Sequence, residues 1–349
     1  DTFTIVLDSE PSAGVSVDLS SSNIAEGTVS PSQVVFDSGD WDIPQTVTVT
    51  GVDDDIDDGD TAYTIITANA ASGDPDYSGF NPLDAAVTNT DDDTAGVTSA
   101  PLSGLVTDEA GVTTDTFDVV LDSKPVAPVT VAVSSADPGE GTPSPSQLEF
   151  TENDWDTPQT VTVTGTDDFI DDGSVAYTVN VGPVTSSDPV YDGLDPADVT
   201  ATNNDDDTAG ITVTPTAGLV TSEAGVEDTF TVVLDTEPVA NVTVDVSSSD
   251  TGEGTVSPSS LTFTPSTWSS AQTVTVTGVD DGAADGDIGY TVNVLAAVSS
   301  DPNYSGYDPS DVSVTNNDND TAGVTVLPVS GLYTTESGGT DSFTVVLNT

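Results

Sequence analysis

The sequence has no cysteine, histidine, methionine or arginine, and Lys124 is its single lysine. Without Cys there is neither a disulfide framework nor a thiolate nucleophile. Without His or Cys, Ser-His and Cys-His catalysis and the usual zinc sites are excluded. One side-chain cation against 61 carboxylates gives a formal net charge of −60. That excludes direct nucleic-acid binding, which needs Lys and Arg to displace phosphate counterions, and it argues against an anionic membrane surface. No apolar run is long enough to span a bilayer and no leader segment is evident. The chain opens without Met and reads as a window of a longer protein, so missing targeting signals carry no weight.

What is present is patterned. Of the acids, 50 are Asp and 11 are Glu, a bias toward the shorter carboxylate that suits turns and metal loops better than helices. Only 35% of residues are hydrophobic, which with this charge ordinarily marks disorder. Here the apolar residues alternate strictly and the acids are clustered. The motif Asp-Thr-Phe opens at Asp1, Asp115 and Asp228, and Asp-Ser-Phe at Asp341, with spacings of 114, 113 and 113 residues. Trp41, Trp155 and Trp268 each precede a Gln-Thr-Val-Thr-Val-Thr-Gly run, and Asp-Pro-x-Tyr recurs at Asp74, Asp188 and Asp301. A period this long describes whole domains in tandem rather than solenoid repeats.

In the third copy, Ile211–Thr214, Phe230 to Leu234, Val242 to Val246, Leu261 to Phe263, Thr273 to Thr277, Tyr290 to Val294 and Val312 to Val314 form seven runs of period two. Each has one apolar face and one Thr/Asp face. Seven short Val/Thr-rich strands in about 110 residues, separated by turn residues, predict an all-β, Ig-like antiparallel sandwich. The expected division is 1–93, a domain lacking its first strand; 94–207 and 208–320, complete domains; and 321–349, the start of a fourth. With no Gly/Ser-rich linker between copies, the array is expected to be an elongated, semi-rigid rod, about 40 Å per domain from strand rise plus loops.

Four acidic features recur. A Glu precedes the second strand: Glu109, Glu223 and Glu336. A Glu-Gly pair follows the third: Glu26, Glu140 and Glu253. The fifth strand is followed by carboxylates at i, i+1 and i+5: Asp53, Asp54 and Asp58; Asp167, Asp168 and Asp172; Asp280, Asp281 and Asp285. The seventh ends in Asp91, Asp92 and Asp93; Asp205, Asp206 and Asp207; Asp318, Asn319 and Asp320. In an up-and-down order, all four lie at one pole, from which the next domain departs. Two carboxylates about 5 Å apart repel by roughly 1–3 kcal/mol at effective dielectrics between 80 and 20, and the chain has almost no Lys or Arg to offset this. Ca²⁺ takes six to eight oxygens in adaptable geometry, whereas Mg²⁺ prefers few protein ligands and several waters. Ca²⁺ is therefore the expected partner. Two plainer readings stand beside it: Asp as a turn former, and an acidic solvated surface of a salt-adapted protein.

These segments also carry a likeness. Val52-Asp-Asp-Asp-Ile-Asp-Asp58, Asp318-Asn-Asp-Thr-Ala-Gly323 and Ser222-Glu-Ala-Gly225 resemble the acidic segments of the Calx-beta domain, a family of sodium/calcium exchangers and bacterial surface proteins. The resemblance covers the whole chain and implies an Ig-like sandwich with several Ca²⁺ ions at one pole. Carried onto this sequence, the implied ligands are Glu109, Asp167, Asp168, Asp172, Asp205, Asp206 and Asp207 in the second copy. In the third they are Glu223, Asp280, Asp281, Asp285, Asp318 and Asp320. In the first, Asp53, Asp54, Asp58, Asp91, Asp92 and Asp93 occupy the matching positions. The Glu-Gly pair matches less closely and stays outside this set. Gly282 and Asn319 stand where the first copy has Asp55 and Asp92, so the third site is expected to bind fewer or weaker ions.

Each Trp is expected to pack under its sandwich, with sugar stacking as the alternative. The Asp-Pro-x-Tyr loop is expected at the opposite pole, facing the preceding domain, with Tyr191 and Tyr304 either packing there or ordering the turn. Asn241-Val-Thr and Asn303-Tyr-Ser match the glycosylation pattern, which is frequent by chance. Paired carboxylates can hydrolyse glycosides, but the same acids recur in every copy and nothing suggests a cleft, so no enzymatic activity is expected. The reading is a calcium-binding repeat segment of a microbial extracellular surface protein, adhesin or fibre. Its partners are neighbouring repeats and further copies in a fibre, without membrane insertion. Alternatives are a glycan- or matrix-binding adhesive module and a filament subunit linked by donor strands.

Overall fold

A computed structural model describes all 349 residues; it consists of β-strands, turns and loops and contains no helix. The chain divides into two compact units. One comprises Asp1–Thr107, Gly111–Thr166 and Ala176–Asn203; the other comprises Asp108–Ala110, Asp167–Val175 and Asn204–Thr349.

In the second unit, two sheets enclose one core. A four-stranded sheet runs in the order Ile211–Thr214, Glu227–Leu234, Gln272–Gly278, Gly254–Ser257. A five-stranded sheet runs in the order Leu219–Ser222, Val312–Asn317, Ile288–Val294, Val242–Ser248, Ser260–Phe263. Alternation places Phe230, Val232 and Leu234 from the first sheet, and Val242, Val244, Val292 and Val312 from the second, on the inner faces, where they pack together. Burying each such side chain stabilises by about 1.5–3 kcal/mol, set against the entropy of ordering it. Trp268 packs against the edge of this core, half-buried, and Trp155 does the same in its own repeat. Farther along, Val324–Leu327 pairs with Thr344–Leu347.

The first unit repeats the arrangement. Val97–Ala100, Thr114–Leu121, Gln159–Gly165 and Gly141–Ser144 form one sheet, and the strands from Leu105–Asp108 to Gln147–Phe150 form the other. Ahead of these, a three-stranded sheet (Thr2–Ile5, Gln45–Gly51, Gly27–Ser30) lies with one in the order Gln33–Phe36, Val15–Ser21, Thr61–Thr67, Ala85–Asn89.

Two details depart from the seven-strand reading. The first strand is two strands in different sheets: Ile211–Thr214 pairs antiparallel with Glu227–Leu234, and Leu219–Ser222 pairs parallel with Val312–Asn317. Pro215 has no N–H to continue the ladder, and Gly218 adopts a left-handed φ of 83°, so the chain crosses between sheets there. Gly254–Ser257, which lies outside the seven runs, is a further strand in which Gly254 faces Gly278. The order is accordingly not up-and-down but the crossed order of an Ig-like sandwich.

Candidate cation site

The register explains how distant acids meet. Because Leu219–Ser222 runs parallel to Val312–Asn317, with Ser222 opposite Asn317, the next residues, Glu223 and Asp318, emerge at the same end. Carboxylate oxygens of Glu223, Asp318 and Asp320 lie within 4.8 Å of one another. The antiparallel pairing of Gly254 with Gly278 brings Glu253 beside the loop that leaves Gly278, and the N–H of Val279 donates to the carbonyl of Glu253 at 2.9 Å. There a second group forms, Glu253 with Asp281 and Asp285, within the same distance limit. Glu109, Asp206 and Asp207 form the corresponding early-Glu group of the second repeat, and Asp53, Asp92 and Asp93 form a group in the first unit. Glu109 is only 2% exposed.

Within each pole the acids differ in use. Asp318 accepts from the N–H groups of Gly286 and Asp320, both at 2.7 Å. These bonds hold its carboxyl below the usual range. Asp91 does the same with the N–H groups of Asp93 and Gly59, at 2.9 and 2.6 Å, and is also lowered. Asp205 accepts from Asp207 and Gly173 at 2.8 and 2.7 Å. Asp54, Asp168 and Asp281 each accept the N–H two residues ahead. These acids shape the loops.

The others are held against one another. Burial, then the charges of Asp206, Asp167, Asp205 and Asp168, pushes Asp207 up. Burial and the charges of Asp280, Asp318 and Asp281 raise Asp320. Asp93 is raised by burial and by Asp53, Asp91, Asp55 and Asp92; Asp58 by burial and by Asp54, Glu26, Asp91 and Asp57; Asp172 by burial and by Asp168, Asp205 and Asp171. The N–H of Asn319, 2.9 Å away, lowers Glu223, but desolvation and Asp318, Asp281 and Asp320 outweigh it and the net shift is upward. Oδ2 of Asp207 and Oδ2 of Asp320 are buried with no hydrogen-bond partner. A buried oxygen that accepts nothing is costly, and an all-oxygen donor set fits a hard cation.

In the first unit the acids around Asp53 open into a cavity of about 160 Å³ lined also by Glu26, Asp54, Asp58 and Asn89. The loop after the fifth strand also holds residues of the succeeding repeat. The carbonyl of Asp55 accepts the N–H of Lys124 at 2.7 Å, and Asp57 Oδ2 accepts that of Ala95 at 2.7 Å. In the second unit, the carbonyl of Phe169 accepts the N–H of Glu237 at 2.8 Å and Asp171 Oδ2 accepts that of Ala209 at 2.8 Å. The Asn303 amide donates to the carbonyl of Asp171, and the ring of Phe169 lies 6.2 Å from that of Trp268. The Asp-Pro-x-Tyr loop thus meets the acidic loop through Asn303. Tyr304 turns inward, donating to the carbonyl of Thr236 at 2.8 Å.

Asp57, Asp171 and Glu253 lay outside the sequence-based set. The i, i+1, i+5 spacing passes over the residue just before i+5, whose role depends on the linker beside it. Glu253 was visible as a recurrent Glu-Gly pair, but only strand pairing shows that it sits beside Asp281.

The fold defines the class: an all-β chain of Ig-like β-sandwiches. No protein-family model matches the chain, and no curated protein matches it. Among solved structures it is similar to CBD12 from CALX1.2, at 13% identity over 58% of this chain and 80% of that one, with a TM-score of 0.26. Domains 4–9 of the surface layer protein SbsC match at 14% identity over 89% of this chain and 40% of that one, TM-score 0.25. The E. coli chaperone DraB matches at 10% identity over 63% of this chain and 98% of that one, TM-score 0.24. No helix of the structure is long and apolar enough to cross a membrane.

Proposed function

We propose that the chain is a calcium-binding structural segment of a microbial extracellular surface protein, adhesin or fibre, in which Ca²⁺ stiffens the junctions between successive sandwiches, and that it is not an enzyme. The observation that carries this reading is the pair of buried, partnerless oxygens of Asp207 and Asp320, each inside a group of three converging carboxylates. Glu109, Asp206 and Asp207 would hold one ion, Glu223, Asp318 and Asp320 another, and Asp53, Asp92 and Asp93 a third. The ion would supply the positive charge that this nearly Lys- and Arg-free sequence lacks. Stiffening arises because one loop does two jobs. Segment 167–172 carries acids that face Asp205 and Asp207 and, through Phe169 and Asp171, hydrogen bonds to the next sandwich. Fixing its acids removes the freedom of the contacts beyond them.

The test is thermal unfolding of the whole chain at fixed ionic strength, in EGTA and in millimolar Ca²⁺. A rise of well over 10 °C is expected, since a ligand at about 1,000 times its Kd stabilises by roughly 4 kcal/mol. Mg²⁺ or KCl giving the same rise, or no rise at all, makes the acids a solvated surface and ends the proposal.

A further inference from the structure

Beneath the acidic pole of the third repeat lies a buried polar chain that ends on the Glu of the Glu-Gly pair. In the second unit, the Tyr290 hydroxyl is 3.4 Å from Thr221 Oγ1, and Thr221 Oγ1 donates to Asn316 Oδ1 at 3.0 Å. Asn316 Nδ2 donates to Glu253 Oε2 at 3.2 Å and to the carbonyl of Val279 at 3.1 Å. Asn316 is 1% exposed and Glu253 8%. The amide cannot be turned over. A backbone carbonyl only accepts, so the NH₂ must face Val279 and Glu253, while the Thr221 hydroxyl takes the amide oxygen. The first unit repeats the geometry: Asn89 Nδ2 donates to Glu26 Oε2 at 3.2 Å and to the carbonyl of Val52 at 2.9 Å.

The two glycines of the repeat signature make room for this chain. A Cβ on Gly254 would collide with the Tyr290 hydroxyl, and one on Gly278 with Asn316 Oδ1 and the carbonyl of Ser222. Gly27 and Gly51 stand in the same relation to Tyr63 and Asn89. The Glu-Gly and Val-Thr-Gly motifs are therefore marks of the support under the pole as well as turn signals.

We infer that Asn316, oriented by Thr221, is the positioning residue for a cation held by Glu253, Asp281 and Asp285, and that Asn89 in the same way fixes Glu26 at the wall of the cavity it shares with Asp53, Asp54 and Asp58. The inference rests on the calcium reading above. Its physical basis is charge. A buried carboxylate needs a donor to stay in place, and Lys or Arg there would cancel the charge that attracts the ion. A neutral amide fixes one oxygen of Glu253 and leaves the full negative charge at the pole. Outer partners of this kind typically carry 10–100-fold of metal affinity.

The experiment is equilibrium dialysis of the full chain with labelled Ca²⁺, on the unmodified protein, Asn316→Leu, and Asn89→Leu with Asn316→Leu, with melting in EGTA measured in parallel. One ion fewer, or one ion weakened at least tenfold, is expected for each Asn replaced. Thr221→Val, which removes the donor to the amide oxygen while the Val279 carbonyl and Glu253 still take its NH₂, should retain the ion count and weaken one ion by up to about tenfold, and it keeps the inference testable if the Leu variants do not fold. Unchanged ion count and affinity, with only the melting temperature in EGTA reduced, overturns the inference while leaving the calcium reading intact. An unmodified chain that binds no Ca²⁺ overturns both.

Discussion

Asp301 and Asp320 belong to the same repeat and do opposite things. Asp301, 3% exposed, accepts the N–H of Val239 on Oδ2 at 2.8 Å and that of Asn303 on Oδ1 at 2.9 Å. Both of its oxygens are used by the backbone, and the loop it ties is complete without any other partner. Asp320 has an Oδ2 that is buried and accepts nothing, and the carboxylates of Asp280, Asp318 and Asp281 around it. The same side chain is a structural tie where the backbone presents donors, and an open valence where it presents only other acids. Position in the fold, rather than residue type, separates the two.

The largest effect is expected where the tie is cut. Asp301→Ala removes the charged acceptor of two loop N–H groups, those of Val239 and Asn303, at about 1.5–3 kcal/mol each. It should lower stability equally in EGTA and in Ca²⁺, as read by chemical denaturation under both conditions. Asp320→Asn should act with the opposite sign in EGTA. Removing one charge from the group relieves repulsion and raises the melting temperature, while Ca²⁺ affinity at that pole falls about tenfold with the lost ligand charge. If both substitutions destabilise alike in EGTA, the comparison between them collapses.

Acid should separate the two classes in the metal-free protein. Asp58, Asp93, Asp172, Asp207 and Asp320 have folded-state pKa values raised above the ordinary carboxylate range. The folded state therefore takes up protons before the unfolded one does, and stability rises as pH falls through these raised values and levels off at the unfolded ones. Asp74 is lowered by the backbone N–H groups of Ser12 and Asp76, and Asp154 by the Thr151 hydroxyl and N–H. Their contribution is present above the unfolded value and is lost as pH falls further, through their own depressed ones. A melting temperature in EGTA that peaks in mild acid is expected. Saturating Ca²⁺ should abolish the rise, because protons then compete with the ion. A metal-free profile falling monotonically from neutral pH would contradict the assignment.

The smallest expected effect sharpens the comparison between repeats. Asp92 and Asp206 join their groups, whereas the third repeat has Asn319 at that place and its group uses Asp318 instead. Asn319→Asp should tighten Ca²⁺ binding at the third pole a few-fold, measurable by titration calorimetry.

Much of this was legible in the residues. Alternating Val and Thr mark the strands because one sheet face is buried, and the recurrence of Asp-Thr-Phe and Trp counts the copies. The split first strand was partly visible in Pro215 and Gly218, but parallel pairing with Val312–Asn317 involves residues almost 100 positions apart and has no local signal. The roles of Asp57 and Asp171 were illegible for the same reason, since their partners, Ala95 and Ala209, lie beyond the run that contains them.

By itself, then, the sequence determined that the chain is built from patterned strands, that its carboxylates have almost no cationic side chains to meet, and that they recur at fixed places in each copy. Composition and periodicity are local properties, and a sheet with one buried face is their direct consequence. Only the tertiary structure decided which acids are ties and which are left open. Hydrogen-bond satisfaction depends on the backbone groups that another strand or loop brings within 3 Å. For Glu253 the donor is a side chain, the amide of Asn316, 63 residues away in sequence and 3.2 Å from its carboxylate.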